Sequence, residues 1–198
     1  MFLDLQIICA KSNCMRILFA LALLAGPVWA DDCPDPADYS AELNTLIDAA
    51  RGAPSEIEGR AVSGDMWKVW LRAPNEQAQE ILDRGMRRRN SYDFAGAYQE
   101  FDRLVRYCPT YAEGFNQRAY VQFLRGNFAS ALVDLDAALV LNPDHVAAQS
   151  GRALTLLQLE RFDEGRVQML EALENNPWLS ERSLIAKGGP LGPKGEDI

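Results

Sequence analysis

Three phenylalanines, Phe94, Phe128 and Phe162, fall 34 residues apart. The same interval links the small residues Gly85, Ala119 and Ala153, then Ala97, Ala131 and Gly165, the larger apolar set Phe101, Leu135 and Met169, and the prolines Pro109, Pro143 and Pro177. A fixed period of this size marks an array of supersecondary units, none of which can bury its apolar face alone. Stacking is then obligatory, and each unit meets only its neighbours. An array of this kind offers a surface for binding more readily than a constellation for chemistry.

The period divides the chain into 78–111, 112–145 and 146–179, each a helix–turn–helix. The turns fall at Asn90-Ser91-Tyr92-Asp93, Arg125-Gly126-Asn127 and Leu159-Glu160-Arg161. Thr110 and Glu113 have the spacing of a capping box, and Asp93 and Asn127 are placed to cap the second helices of their units. Upstream, Tyr39, Leu43, Leu46, Ile47 and Ala50 recur at three and four positions, predicting a helix over 37–50. A second, from Ser55 through Val62, Met66, Val69 and Trp70 to Leu71, stops before Pro74. This helical hairpin, within 31–77, is expected to cover the open end of the first repeat. At the other end, Trp178–Ile185 begins an unpaired capping helix. From Lys187 onward the Gly/Pro-rich segment within 180–198 reads as a disordered tail.

Gly or Ala at the eighth position of each unit, Phe at the seventeenth, Ala or Gly at the twentieth and Pro at the thirty-second make 78–179 resemble tetratricopeptide repeats. Small side chains at the eighth and twentieth positions allow two helices to cross closely, as do Ala138 and Ala172 at the twenty-seventh, where Leu104 departs from the pattern. Ile81 also stands where members of the family often carry Trp. The resemblance implies an all-α, right-handed solenoid of helix–turn–helix repeats, with the hairpin and the short cap added at its ends. It further implies a concave groove, lined by the first helix of each repeat, that holds a peptide or a partner's helix. Carried over by position, the groove presents Leu82, Met86 and Asn90, then Asn116, Tyr120 and Phe123, then Ser150, Leu154 and Leu157. Chaperone-binding members clamp a terminal carboxylate with Lys and Asn, and Leu82 and Met86 stand at those positions here, so such a clamp is not expected. Tyr120 and Phe123 also suit an ordinary inter-helix core.

Arg84, Arg118 and Arg152 recur at the seventh position. Glu100, Asp102, Asp134 and Asp136 on the facing helices can pair with them inside the hairpins, which leaves Arg152 less accounted for. Arg87, Arg88 and Arg89 form a basic cluster. Pairs such as Asp83 with Arg87 make part of it a solvated face, while Arg88 and Arg89 remain open to an acidic client. Trp67 and Trp70, one turn apart, are expected to be buried against the first repeat.

Met15-Arg16, the apolar run Ile17–Ala25 and the small-residue ending at Ala30 read as a secretory signal peptide. Residues 1–30 are therefore assigned as a leader with Met15 as its true start, cleaved after Ala30, which places the protein in the periplasm or outside the cell. The apolar run is too short to span a bilayer. Cys33 and Cys108 then remain as an even pair in a compartment where disulfides persist, and a bridge between them is expected. The formal net charge of −8 and the lack of a basic stripe disfavour nucleic acid and anionic membranes as partners.

The single histidine, His145, sits at a helix start beside Asp144 with no second ligand at metal spacing. No phosphate-binding loop joins a strand to a helix. The sequence therefore predicts no catalytic residues, metal or cofactor. The expected function is a non-enzymatic adaptor or scaffold for a protein or peptide client. The alternative is a structural protein that associates with copies of itself.

Overall fold

Every turn between the two helices of a repeat places one residue in the left-handed region, and that residue also recurs every 34 positions: Tyr92 at φ 62°, Gly126 at φ 75° and Glu160 at φ 58°. Only the middle one is glycine. After each, an amide reaches five residues back to a carbonyl: Asp93 to Arg88, Asn127 to Gln122 and Arg161 to Leu156, all 2.9 Å. This pairing satisfies carbonyls that the helix end would leave orphaned, and it offsets the cost of positive φ at Tyr92 and Glu160.

The computed structural model describes residues 32–193, so the leader assigned to 1–30 and the last five residues lie outside it. The described α-helices are α1 (Ser40–Gly52), α2 (Glu56–Trp70), α3 (Glu76–Asn90), α4 (Phe94–Tyr107), α5 (Ala112–Leu124), α6 (Phe128–Leu141), α7 (Val146–Gln158) and α8 (Phe162–Asn175). A 3₁₀ turn covers Ser180–Ile185, and no strand occurs among the described residues. Helices α3–α8 pair as three successive hairpins, with the first helices α3, α5 and α7 side by side. The all-α repeat architecture read from the sequence is the one found.

Caps mark several helix starts. Ser55 Oγ accepts from Glu58 N, Asn75 Oδ1 from Ala78 N at 2.8 Å, and Asp93 Oδ1 from Gly96 N at 2.9 Å. Two expected caps are not made. Tyr111 holds the N-cap of α5 without a side-chain bond, because Glu113 points into the protein. Asn127 donates its amide to Gln122 Oε1 instead of capping α6.

Inside the hairpins, side-chain sizes compensate across the interface. A Cβ on Gly85 would lie 2.4 Å from Phe101 Cε1, so the largest residue of its set needs the smallest partner. The smaller Leu135 and Met169 leave room for Ala119 and Ala153 in their clusters. Leu104, the departure at the twenty-seventh position, is fully buried and lies over Gly114, which a Cβ would bring within 3.4 Å of it. Each match removes apolar surface at close to crystal density.

The hairpin α1–α2 is not stacked on the open end of the first repeat. Leu43, Ile47, Ala50, Met66, Val69 and Trp70 form one cluster with Val146, flanked by Ala147 and Leu179. Helix α1 also lies against α8. Polar contacts seal this closure. Arg51 donates to Glu174 O and Asn175 Oδ1 at 2.8 Å each, Trp178 Nε1 to Ala50 O at 3.0 Å, and Asn176 Nδ2 to Ser63 Oγ at 2.7 Å. Arg182 pairs with Glu56 at 2.7 Å. The reason is steric as well as polar, since Gly59 in α2 leaves a notch into which the Trp178 indole fits. Only the exit of the hairpin, Leu71 and Ala73, reaches the first-repeat cluster.

The tail also departs from expectation up to residue 193. Leu191 is 1% exposed against Ala153 and Met169. Its amide donates to Leu184 O, and its carbonyl accepts from Arg166. Near the other terminus the sulfurs of Cys33 and Cys108 lie at bonding distance, 1.93 Å, with Cα atoms 5.1 Å apart.

Candidate functional site

Side chains three and four apart share a helix face. Met86 and Arg89 of α3, Asn116, Tyr120 and Phe123 of α5, and Ala147, Ser150 and Leu154 of α7 therefore converge on the concave side of the array. Trp67 of α2 and Leu71 at its C-cap face them from the hairpin, and Glu181 adds a carboxylate to the lining. Together with Gln117, Leu135 and Thr155 they line a cavity of about 430 Å³, most of whose wall is apolar.

Six of the nine groove residues read from the sequence thus meet in one place: Met86, Asn116, Tyr120, Phe123, Ser150 and Leu154. Leu82 does not. It is fully buried in the cluster against which Leu71 and Ala73 pack, so the hairpin exit covers its groove position. Asn90 also lies outside the cavity, exposed, accepting from Arg89 through Oδ1. Leu157 packs toward the Met169–Leu191 cluster. Trp67, Leu71, Arg89 and Gln117 were not read as groove residues. The two from the hairpin carry no repeat signal that could have placed them there.

The tryptophans are not buried against the first repeat. Trp70 stacks on His145, the N-cap of α7, with ring centres 4.3 Å apart and planes 16° apart, and meets Trp67 edge-on. Trp67 stays 37% exposed at the cavity wall. Trp70 Nε1 is buried without an acceptor among the described residues, while its carbonyl accepts from Tyr111 Oη at 2.7 Å. Burial pushes the Tyr111 phenol far above its ordinary range.

A buried polar network underlies the cavity. Glu113, 1% exposed, accepts from Asn116 Nδ2 at 2.9 Å and from Gln117 Nε2, and lies 2.9 Å from His145 Nε2. His145 Nδ1 accepts from Ala148 N, which assigns the ring proton to Nε2 and makes it a third donor to Glu113. Gln117 Oε1 in turn accepts from Arg89 Nη1. The side-chain amides of Asn116 and Gln117 are thereby committed to Glu113.

The recurrent arginines are accounted for by a spacing of 16. Arg84 reaches Glu100 at 3.4 Å, Arg118 reaches Asp134 and Asp102, and Arg152 reaches Gln168 and Asp136. The forward partner lies in the same repeat and the backward partner in the preceding one, so Arg152, short of a carboxylate in its own hairpin, takes one from its neighbour. Arg118 and Arg152 thereby staple neighbouring units, while Arg84 pairs within its own.

No group of three or more His, Cys, Asp or Glu side chains able to hold a metal ion occurs among the described residues. No described helix is long and apolar enough to cross a membrane.

No protein-family model matches the chain. It is 36% identical over 73 residues to a Tetratricopeptide repeat protein 36 homolog of Nematostella vectensis, covering 37% of this chain and 40% of that one. A TPR repeat-containing protein of Rhizobium etli is 35% identical over 71 residues, covering 31% and 35%. The chain thus spans well under half the length of these curated relatives. Among solved structures, the first TPR of Spaghetti (RPAP3), bound to the HSP90 peptide SRMEEVD, superposes with a TM-score of 0.53 at 22% identity, over 55% of this chain and 87% of that one. The Arabidopsis OM64 TPR domain gives 0.54 at 17% identity, over 56% and 92%. The TPR2AB domain of yeast Sti1, in its pHSP90 complex, gives 0.51 at 18%, over 72% and 59%. These likenesses establish the tetratricopeptide-repeat fold of the array.

Proposed function

We propose that the protein is a non-catalytic interaction module of the cell envelope or the secreted space, which holds a segment of a client polypeptide in its concave cavity. The observation that carries this reading is the convergence of three first helices and the hairpin on one mostly apolar cavity of about 430 Å³, a size suited to side chains of a bound partner. Met86, Tyr120, Phe123 and Leu154 bury the client's apolar groups, Asn116 and Ser150 lie at the polar end, and Asn90 contacts the client outside the cavity if the segment extends past α3. The peptide-bound state of the first TPR of Spaghetti, named above, supports a binding role. The sulfur pairing of Cys33 and Cys108 and the leader-like residues 15–30 support an oxidising compartment.

The test is capture of envelope proteins on the tagged, oxidised chain beside a Leu154→Asp variant of equal helicity. A captured protein is then mapped to a synthetic segment whose affinity is measured for both chains. Retention by the parent with at least about tenfold weaker binding by the variant supports the reading, and equal binding moves the site elsewhere.

Self-association is a second reading, favoured by a separate surface. Val133 and Val167, one repeat apart, are 68% and 66% exposed, and Val140 is 82% exposed. All three stand exposed on the second helices α6 and α8. Sedimentation across concentrations, with Val133→Lys/Val167→Lys as the comparison, decides it. A mass that does not rise with concentration removes this reading.

A further inference from the structure

Arg89 differs from the arginines that recur in the array. Arg84, Arg118 and Arg152 each touch a carboxylate, and Arg88 touches Asp93. Arg89 makes no salt bridge among the described residues. Its guanidinium is held by neutral oxygens, Gln117 Oε1 and Asn90 Oδ1, and lies 5.3 Å over the Tyr120 ring. Glu113, the carboxylate of the network, is reached only through Gln117 and already receives three donors. A cation facing a mostly apolar cavity with no carboxylate in contact is costly. The desolvation shows as a guanidinium pKa below its ordinary value.

We infer that the cavity recognises an acidic side chain flanked by an apolar one within a client polypeptide, the carboxylate pairing with Arg89 while its neighbour fills the space between Trp67, Phe123 and Leu154. This rests on the groove reading above and names the chemistry of its occupant. Charge complementarity carries it, since a guanidinium fork matches a carboxylate in two parallel bonds. The volume, about 430 Å³, lies near the lower end for ligand pockets and suits one or two side chains instead of a helix. Glu181 in the lining disfavours a second negative charge, so the motif carries one carboxylate and not an acidic run. The amides that could hold a chain end, Asn116 and Gln117, are occupied by Glu113, which leaves Arg89 alone to receive the anion.

The probes are three peptides titrated calorimetrically against the oxidised protein: acetyl-Gly-Phe-Glu-Leu-Gly-amide, the same peptide with Gln for Glu, and acetyl-Gly-Phe-Leu with a free carboxyl end. The Glu peptide is expected to bind about tenfold or more tighter than the Gln peptide, to weaken as salt rises, and to lose its advantage on Arg89→Gln. The Glu/Gln comparison on the parent chain holds even if the variant folds poorly. Equal binding of the two blocked peptides, both weakened by Leu154→Asp, overturns the pairing and leaves the groove reading standing. A Glu preference that survives Arg89→Gln, or binding by the free-ended peptide alone, also overturns it. So does failure of all three to bind into the millimolar range, the groove reading then resting on the capture experiment.

Discussion

Two glycines of α2, Gly59 and Gly64, should respond to alanine with opposite signs. Gly64 is exposed and a Cβ there meets nothing within 4 Å, whereas a Cβ on Gly59 would lie 2.1 Å from Trp178 Cδ1 and 2.2 Å from Cγ. Helix propensity alone favours alanine by about 1 kcal/mol at either site. At Gly64 that gain stands alone. At Gly59 the indole must move, which breaks the bond from Trp178 Nε1 to Ala50 O, about 1 kcal/mol, and adds overpacking of about 1–3 kcal/mol. Gly59→Ala is therefore destabilised by about 1–3 kcal/mol net, and the two variants separate by about 2–4 kcal/mol. In a chain of this size each kcal/mol moves the melting midpoint by about 2–4 °C. Thermal unfolding followed by circular dichroism should show Gly64→Ala melting above the parent and Gly59→Ala several degrees below it. If Gly59→Ala melts at or above the parent, Trp178 does not sit in the α2 notch and the placement of the hairpin is wrong.

Three further outcomes follow from contacts described above. Arg118→Met strips the cation from Asp102 and Asp134, the latter 5% exposed, and should cost about 3–5 kcal/mol in urea unfolding; a loss under about 1 kcal/mol would mean that solvent screens the pair. The Gly96 amide, and after it the Arg88 guanidinium, hold the Asp93 carboxyl below its ordinary value of 3.8, so its contribution is present above that value and fades as pH falls through the folded value. Asp93→Asn still caps α4 but takes up no proton, and its urea midpoint should fall less steeply than the parent's below about pH 4, with parallel curves contradicting this. Reduction of the oxidised protein should open Cys33–Cys108, add two alkylation sites by mass, and lower stability by up to about 4 kcal/mol for a separation of 75 residues; equal alkylation before and after reduction would show that no bridge forms.

The repeats were legible because their determinants are short-range and recur. Gly85 answers Phe101 within one hairpin, and the departure at Leu104 is absorbed by Gly114 in the next helix. Even the left-handed turn residues keep the period, although Tyr92 and Glu160 carry no glycine to announce it. The hairpin helices were legible from apolar spacing, but their docking was not. It depends on single contacts such as Arg51 with Asn175, 124 residues apart, for which no period exists. That gap explains the candidate site as well. Met86, Asn116, Tyr120, Phe123, Ser150 and Leu154 face the cavity as their register requires, whereas Leu82 lies beneath the hairpin exit. Arg89 could be read as part of a basic cluster, but its lack of a carboxylate partner emerges only once the pairings of Arg84, Arg88 and Arg118 are known.

The closure of the hairpin onto the third repeat also bears on how the chain reaches its native state. Helix pairs of the array meet across one unit, so they can form from nearby segments on a fast timescale. The pairs Ser63–Asn176, Ala50–Trp178 and Glu56–Arg182 join points 113 to 128 residues apart, and their loop must close before any of them contributes. Docking of the hairpin is therefore expected late in folding, after the array that receives it exists. An open solenoid can fray from either terminus independently. Here the two termini of the helical body shield one another, so amide exchange in α1 and α8 should rise together when either one is loosened.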